Sequence, residues 1–417
     1  MPCDMHYDIF SIMKSEIEVI ESGGVTSPEG FCAGATYAGI KKKAKGSLDL
    51  GILFSEEPCA AAGVFTTNRI KAAAVVLSQK RVQSGRAQAV VINSGCANAG
   101  TGEPGMADAT EMAELVAKNI GLSLEDILVA STGVIGERLP MKLVRAGIDQ
   151  IVLSKDGGHE LARAIMTTDT VPKETAVAVK AGESRFTIGG IAKGAGMIHP
   201  NLATLLCFLT TDAAVEAGFL RLALRKAADV SFNMISIDGD TSPNDTVLIL
   251  ANGKAGNKPI SKRSREAGVF QKALDRVCVY LAKCIARDGE GASKLIEVTV
   301  SGAPTTSKAR MAARTVVSSP LVKSAVHGND PNWGRILAAV GRSGVEVVES
   351  KIELYIGKIC VVKDGLPLPF DKREVVKVLK NGEVPIRLNL NLGTAEATAW
   401  GCDLSEEYVT INSQYTT

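Results

Sequence analysis

Two short segments, Ala89–Ile92 and Leu205–Leu209, are apolar at every position. Successive residues of a strand point to opposite sides, so a strand apolar throughout has no face to give to water and belongs in a sheet covered on both sides. Helices of suitable pattern are present to supply the cover. Met112, Leu115 and Val116 fall on one side of a helix expected over Met106–Asn119. Phe270, Leu274, Val277, Leu281 and Cys284 recur at helical spacing, and that helix runs out at Asp288-Gly289. Asp49–Phe54 and Asp126–Ser131 read as further strands, the second ending in a Thr132-Gly133 turn.

Downstream the pattern changes to alternation. Ile296, Val298 and Val300 alternate with Glu297 and Thr299; Ile352, Leu354 and Ile356 repeat the pattern. Ile359–Val362 leads into a Lys363-Asp364-Gly365 turn. Val409 and Ile411 alternate with Tyr408, Thr410 and Asn412, which predicts a terminal strand with Asn412 facing away from the core. Half-buried, antiparallel-looking strands beside fully buried ones argue against a simple doubly wound domain. The expected class is α/β, an α+β layered sandwich of mixed sheets with helices.

Charge and residue counts exclude several kinds of chemistry. Lys and Arg number 47 against 45 Asp and Glu, a net charge of +2, which gives no electrostatic case for nucleic acid or an anionic membrane. No apolar run reaches membrane-spanning length, and Met1–Lys14, with Asp4 and Asp8, lacks a secretory pattern. Nine scattered cysteines without a C-x-x-C pair point to a reducing compartment, the cytoplasm, and give no zinc motif. The four histidines, His6, His159, His199 and His327, form no H-E-x-x-H, and no G-x-S-x-G elbow is present. A metal site and a Ser-His-Asp triad therefore lack support. The loop Asn93–Gly102 could cradle an anion, but Thr101 and Gly102 stand where a phosphate loop needs Lys and Ser/Thr, so a tight strand-to-helix turn is the better reading.

The stretch Lys193–Asp212 is the most unusual. A Gly-rich loop with one lysine precedes Pro200-Asn201, and Thr204 then stands at the entrance of the apolar run. On periodicity alone Thr204 is a plain β-branched strand residue. Lys193-Gly-Ala-Gly-Met197, Pro200-Asn201 and Ala203-Thr204 together resemble the self-processing segment of the ornithine acetyltransferase (glutamate N-acetyltransferase) family. Further blocks match in order: Asn93–Asn98, Ser131–Gly136, Met166–Asp169, Gly328–Arg335, Ala399–Asp403 and Tyr408–Thr417. The similarity runs from about residue 24 to the last residue. Leu202 and Leu205 stand where the family often has Met, and His199 where it has a small residue, but none of these removes a reacting group.

The resemblance implies an N-terminal-threonine nucleophile acyltransferase. The chain would cleave itself between Ala203 and Thr204 into fragments 1–203 and 204–417, which together form the site. Thr204 would carry an acetyl group from N2-acetyl-L-ornithine to L-glutamate in cyclic arginine biosynthesis. Thr132 and Gly133 would stabilise the oxyanion. Thr167 (with Thr168 as its rival), Lys193, Thr204, Glu290, Asn412 and Thr417 would contact substrate. No cofactor is implied, and two copies of each fragment are expected to form a heterotetramer. The residues leave open whether acetyl-CoA is also a donor, making the enzyme bifunctional. Two alternatives stand beside this: a self-processing amidohydrolase or aminopeptidase using the same threonine, and a non-catalytic α/β binding protein.

Taken alone, each proposed site residue has a bland explanation. Thr132-Gly133 is an ordinary turn, Glu290 a solvated loop acid just past a helix, and Asn412 and Thr417 lie at a chain end that usually frays. Trp333 and Arg335 read equally well as residues that pack and cap the following helix.

Overall fold

The structure, a computed structural model, describes residues 17–42, 46–199 and 205–414. Its strands are β1 (Ile17–Ile20), β2 (Phe31–Thr36), β3 (Leu50–Phe65), β4 (Arg86–Cys96), β5 (Ile127–Val134), β6 (Lys173–Ala181), β7 (Ser184–Lys193), β8 (Leu206–Thr211), β9 (Ile235–Ser236), β10 (Thr246–Ala251), β11 (Leu295–Ala303), β12 (Glu353–Ile356), β13 (Ile359–Lys363), β14 (Leu366–Pro367), β15 (Glu383–Asn389) and β16 (Ala395–Cys402). Its helices are α1 (Ala73–Arg81), α2 (Gly102–Ile120), α3 (Met141–Ile148), α4 (Gly158–Ala164), α5 (Ala217–Val230), α6 (Ala267–Arg287), α7 (Thr306–Val317), α8 (Pro320–His327), α9 (Trp333–Gly341), α10 (Lys372–Leu379) and α11 (Glu406–Gln414).

The first sheet runs β1-β6-β7-β8-β10-β3-β4-β5, with β2 beside the first half of β3. Pairing is antiparallel except for β8 with β10 and β4 with β5. Both faces are covered, as the uniformly apolar runs require. Val90, Ile92, Leu206 and Phe208 join one core with Leu161 and Ala162 of α4. Ala89 and Val91 point the other way, against Met112 and Val116 of α2. Cys207 and Leu209 likewise point away from Phe208, towards Leu220 and Leu224 of α5 and Phe270 and Leu274 of α6. The strand expected over Asp49–Phe54 continues to Phe65. It survives Pro58 because its register with β4 shifts between Phe54 and Cys59, and Pro58 sits in that irregularity, where no ladder N–H is needed.

The second sheet is ordered β14-β13-β12-β15-β11-β16-β9 and is also mixed, with β11/β15 and β9/β16 parallel. Ala309, Ala312, Ala313, Val316 and Val317 of α7 are fully buried. These small side chains let the helix lie close on β11 and β16. Helix α6 packs on β6 and β7 of the first sheet and reaches β9 and β16 of the second, so its C-terminus at Arg287 lies where the two sheets meet. Asn332 caps α9 through the N–H of Arg335, whose guanidinium reaches the Leu321 carbonyl, so the Asp330–Arg335 block is built into helix packing.

Two expectations fail. Thr132-Gly133 is not a turn after the strand but part of β5, with Gly133 paired to Gly95. Tyr408–Asn412 is not a strand but part of α11. Val409 and Ile411 have no core to face, and Val409 is 65% exposed. Glu406 and Glu407 in the first turn suit a helix N-terminus, and the alternation of five residues was too short to tell the two periods apart.

Candidate active site

A cavity of about 240 Å³ opens where the C-terminal ends of β5 and β7 meet the segment after α6 and helix α11. Thr132, Gly133, Thr167, Lys193, Glu290 and Asn412 all line it, drawn from five separate parts of the chain. Thr168 lines it as well, so the structure does not choose between Thr167 and Thr168. Ala203, Thr204 and Thr417 lie outside the described residues.

Parallel pairing of β4 and β5 brings Gly95 beside Gly133 and disturbs the register at Gly95 and Cys96. Gly133 has φ of 131°, and a Cβ there would sit 2.3 Å from the Gly95 carbonyl carbon. Only glycine can fill that position. The loop onward from Asn93 is thus the last part of β4 and a turn into α2, as the tight-turn reading expects. Asn244 donates to the carbonyls of Ala97 and Ser131, both at 2.7 Å, and ties the two strand ends to the loop before β10.

Lys193 ends β7, pairs with Leu206 at the start of β8, and is only 4% exposed. Its ammonium lies 3.4 Å from Thr132 Oγ1. Burial pulls the ammonium below its ordinary range, against the opposing pull of Asp169. Burial by itself would raise the Asp169 carboxyl. The neighbouring charges of Lys193 and Lys173 outweigh it and hold Asp169 well below the usual carboxylate range.

Past Lys193 the chain turns sharply, with Gly194 at φ 152° and Met197 at φ 56°. Asp238 accepts from the N–H groups of Met197 (2.5 Å) and Ile198 (2.9 Å) and fixes this turn. Burial pushes its carboxyl up in spite of those bonds. His199 meets Ser236 Oγ at 3.1 Å, and burial together with Arg314 lowers its imidazole. Opposite, Glu290 follows the end of α6, is 9% exposed and donates its N–H to the Ala195 carbonyl at 2.8 Å. Its carboxylate accepts from Asn412 Nδ2 at 2.7 Å. Tyr408, one helical turn before Asn412, lines the same cavity as Asp238. Burial and the nearby carboxylates of Asp238 and Glu290 push its phenol up.

The cavity thus has a buried cation at Lys193 and a buried carboxylate at Glu290, with Thr132 and Gly133 also in its lining. Among the described residues no group of three His, Cys, Asp or Glu could hold a metal ion, and no helix is long and apolar enough to cross a membrane. Eight described cysteines are free thiols.

The ArgJ family pattern matches residues 32–417. The arginine biosynthesis bifunctional protein ArgJ of Dehalococcoides mccartyi is 55% identical over 405 residues, covering 97% of this chain and 100% of the relative. That of Symbiobacterium thermophilum is 54% identical over 398 residues, covering 95% and 99%. The chain belongs to the ArgJ family. It is accordingly an acyltransferase enzyme of arginine biosynthesis. Among solved structures, the ornithine acetyltransferase of Mycobacterium tuberculosis complexed with ornithine is 44% identical, matching 44% of this chain and 98% of that one, with a TM-score of 0.42.

Sequence reasoning missed Asp238, Asp240, Ser242 and Asn244 of this ArgJ-family site. They occupy a polar, Gly-containing run between Ile237 and Thr246, where no spacing marks function. A long polar loop directly before a buried strand was the available signal. Tyr408 was named, but on a strand.

Proposed function

We propose that this enzyme transfers acetyl from N2-acetyl-L-ornithine to L-glutamate through an ester on Thr204, after cutting its own Ala203–Thr204 bond into fragments 1–203 and 204–417. One observation carries the reading: a single cavity is lined by Lys193, Glu290 and Thr132-Gly133. An α-carboxylate suits Lys193, and the distal ammonium of ornithine suits Glu290. Thr204 is bonded directly to Leu205, whose carbonyl is anchored by the N–H of Thr246, and Leu206 pairs with Lys193. Leu206 is thus the strand partner of a cavity-lining lysine, which supports Thr204, two residues earlier in the chain, as the nucleophile.

Before cleavage the Thr204 nitrogen is an amide and cannot act as a base. Afterwards it is an α-amine with an ordinary pKa of about 7.7–8.0, able to take the proton of its own hydroxyl. Thr204 Oγ then forms a bond to the acetyl carbonyl carbon. The oxyanion is held by Thr132 and the Gly133 N–H, and the stored proton leaves with the amine of ornithine as the amide C–N bond breaks. The α-amine of glutamate attacks the ester, its proton returns through the Thr204 amine to Oγ, and N-acetylglutamate departs. Thr167 (or Thr168), Asn412 and Thr417 complete the substrate contacts. The fragments are proposed to assemble as a cytoplasmic heterotetramer without a cofactor. The word bifunctional in the relatives' names supports acetyl-CoA as a second donor to the same ester.

Intact mass spectrometry tests the reading. Purified protein should give two fragments, and brief exposure to N-acetylornithine should add one acetyl group to the fragment beginning at Thr204. Ornithine release equal with and without glutamate would favour an amidohydrolase. A single uncut, unacetylated chain would leave only a binding protein. N-acetylglutamate formed from acetyl-CoA and glutamate alone tests the second donor.

A further inference from the structure

Lys173 opens β6, is 2% exposed and is not among the residues that line the cavity. Its ammonium lies 2.7 Å from Asp169 Oδ1 and 2.5 Å from Asp288 Oδ2. Each carboxylate also accepts from backbone N–H groups of segments next to the cavity. Asp169 Oδ1 also accepts from the Gly194 N–H at 2.6 Å, next to Lys193, and Asp169 Oδ2 accepts from the Thr167 N–H at 3.0 Å. Asp288 stands at the C-terminal cap of α6, two residues before Glu290. It accepts from the N–H of Thr170 at 3.0 Å and from the Thr170 hydroxyl. Gly289 between them has no room for a side chain, since a Cβ there would lie 2.7 Å from Cys402 Sγ.

We propose that Lys173, clamped between Asp169 and Asp288, is the positioning residue that fixes the substrate-contacting segments of the cavity relative to one another. Asp169 joins the Thr167 and Lys193 segments, and Asp288 ties the segment that carries Glu290 to Thr170. This rests on the acetyl-transfer reading above, in which Lys193 takes an α-carboxylate and Glu290 a distal ammonium. A buried ion pair kept only for stability has no need of this arrangement, because well-packed apolar side chains serve that end equally well. Here each carboxylate spends its remaining oxygen capacity on backbone or hydroxyl donors of segments that reach the substrate. The element lies behind the wall and touches no substrate, so its effect must pass through the residues it places.

The two arms make the assignment testable, because they serve different substrates. Both substrates present an α-carboxylate to the Lys193 side, whereas only the ornithine substrate presents a distal ammonium to Glu290. In the full self-processed protein, Asp288→Ala should raise KM for N-acetylornithine on the order of tenfold while KM for glutamate changes less than about twofold. Asp288→Asn, which keeps an acceptor oxygen, should recover part of the loss and covers the case in which the alanine variant does not fold. Asp169→Asn should raise both KM values, because it loses the acceptor for the Thr167 N–H. Parallel changes in the two KM values for either Asp288 variant would overturn the assignment, as would wild-type kinetics accompanied only by a lowered melting temperature. A failure of the acetyl-transfer reading shows itself separately, in wild-type protein that neither cleaves nor takes up acetyl.

Discussion

Thr132 and Gly133 stand on one wall of the cavity, Tyr408 and Asn412 on another, and different forces hold the two pairs. The first pair ends β5, whose residues from Ile127 to Thr132 are buried between helices and locked by parallel pairing to β4. The second pair rides on α11, which has no buried residue. That helix is held by polar bonds: Asn412 to Glu290 at 2.7 Å, and Ser405 Oγ, just before it, to the Gly291 carbonyl at 2.6 Å. Each such bond contributes only about 0.5–3 kcal/mol, so this wall belongs to the low-stability end of the fold. Developing charge needs donors that do not reorganise, and the sheet supplies them.

The largest effect should come from the reacting side. Thr204→Ala removes both the hydroxyl and, by blocking cleavage, the free amine. The expected product is one uncut chain with no ornithine release, and measurable acetyl transfer from it would break the proposed mechanism. Thr132→Ala should come next. Loss of one oxyanion donor typically lowers kcat on the order of 10²–10³-fold, and KM should stay near wild type because the contact strengthens only in the transition state. A KM effect without a kcat effect would place Thr132 on the substrate-holding side instead.

Changes on the α11 side should be smaller and of the opposite kind. Glu290→Gln and Asn412→Ala should leave cleavage intact and raise KM for N-acetylornithine by about tenfold or less, with a modest change in kcat. Asn412→Ala should scarcely move the melting temperature, since Asn412 is exposed and no residue of α11 is fully buried. If either variant cost as much in kcat as Thr132→Ala, the two walls would not differ in the way their construction suggests.

The same contrast decides what the amino-acid sequence could reveal. Ala89–Ile92 and Leu205–Leu209 announced buried strands because a strand apolar on both sides has one solution, whereas the sheet-borne site residues Thr132, Gly133 and Lys193 were named only by the family resemblance. The α11 wall was harder to read. Tyr408, Val409, Thr410, Ile411 and Asn412 fit strand and helix about equally, and only packing decides between them. Asn412 still reached the cavity, through helical rather than alternating geometry. Lys173 and Asp288 were invisible for another reason. A charged residue in a sequence reads as solvated by default, and its burial beside a partner more than a hundred residues away is a property of the fold alone.

Acid should separate the walls by a smaller margin. Asp403, in the connection from β16 to α11, accepts from the Ser293 and Lys294 N–H groups, both at 2.8 Å, and lies 2.8 Å from His327 Nδ1. Burial would raise its carboxyl, but Ser293, His327 and the two amides hold it below its ordinary value. A carboxyl depressed in the folded state stabilises the fold above its unfolded pKa of about 3.9, and that contribution is lost as pH falls through the folded value. Asp169, set between two lysines and fully buried, is held lower still and should protonate later. The α11 side should therefore loosen first below about pH 4, before the Asp169 contacts fail. Asp403→Asn should cost on the order of 1 kcal/mol at neutral pH and flatten the acid limb of stability against pH. Urea unfolding from pH 7 to 3, read with hydrogen exchange in α11 and β5, would measure both. Exchange in β5 rising ahead of α11 would reverse the proposed order of the two walls.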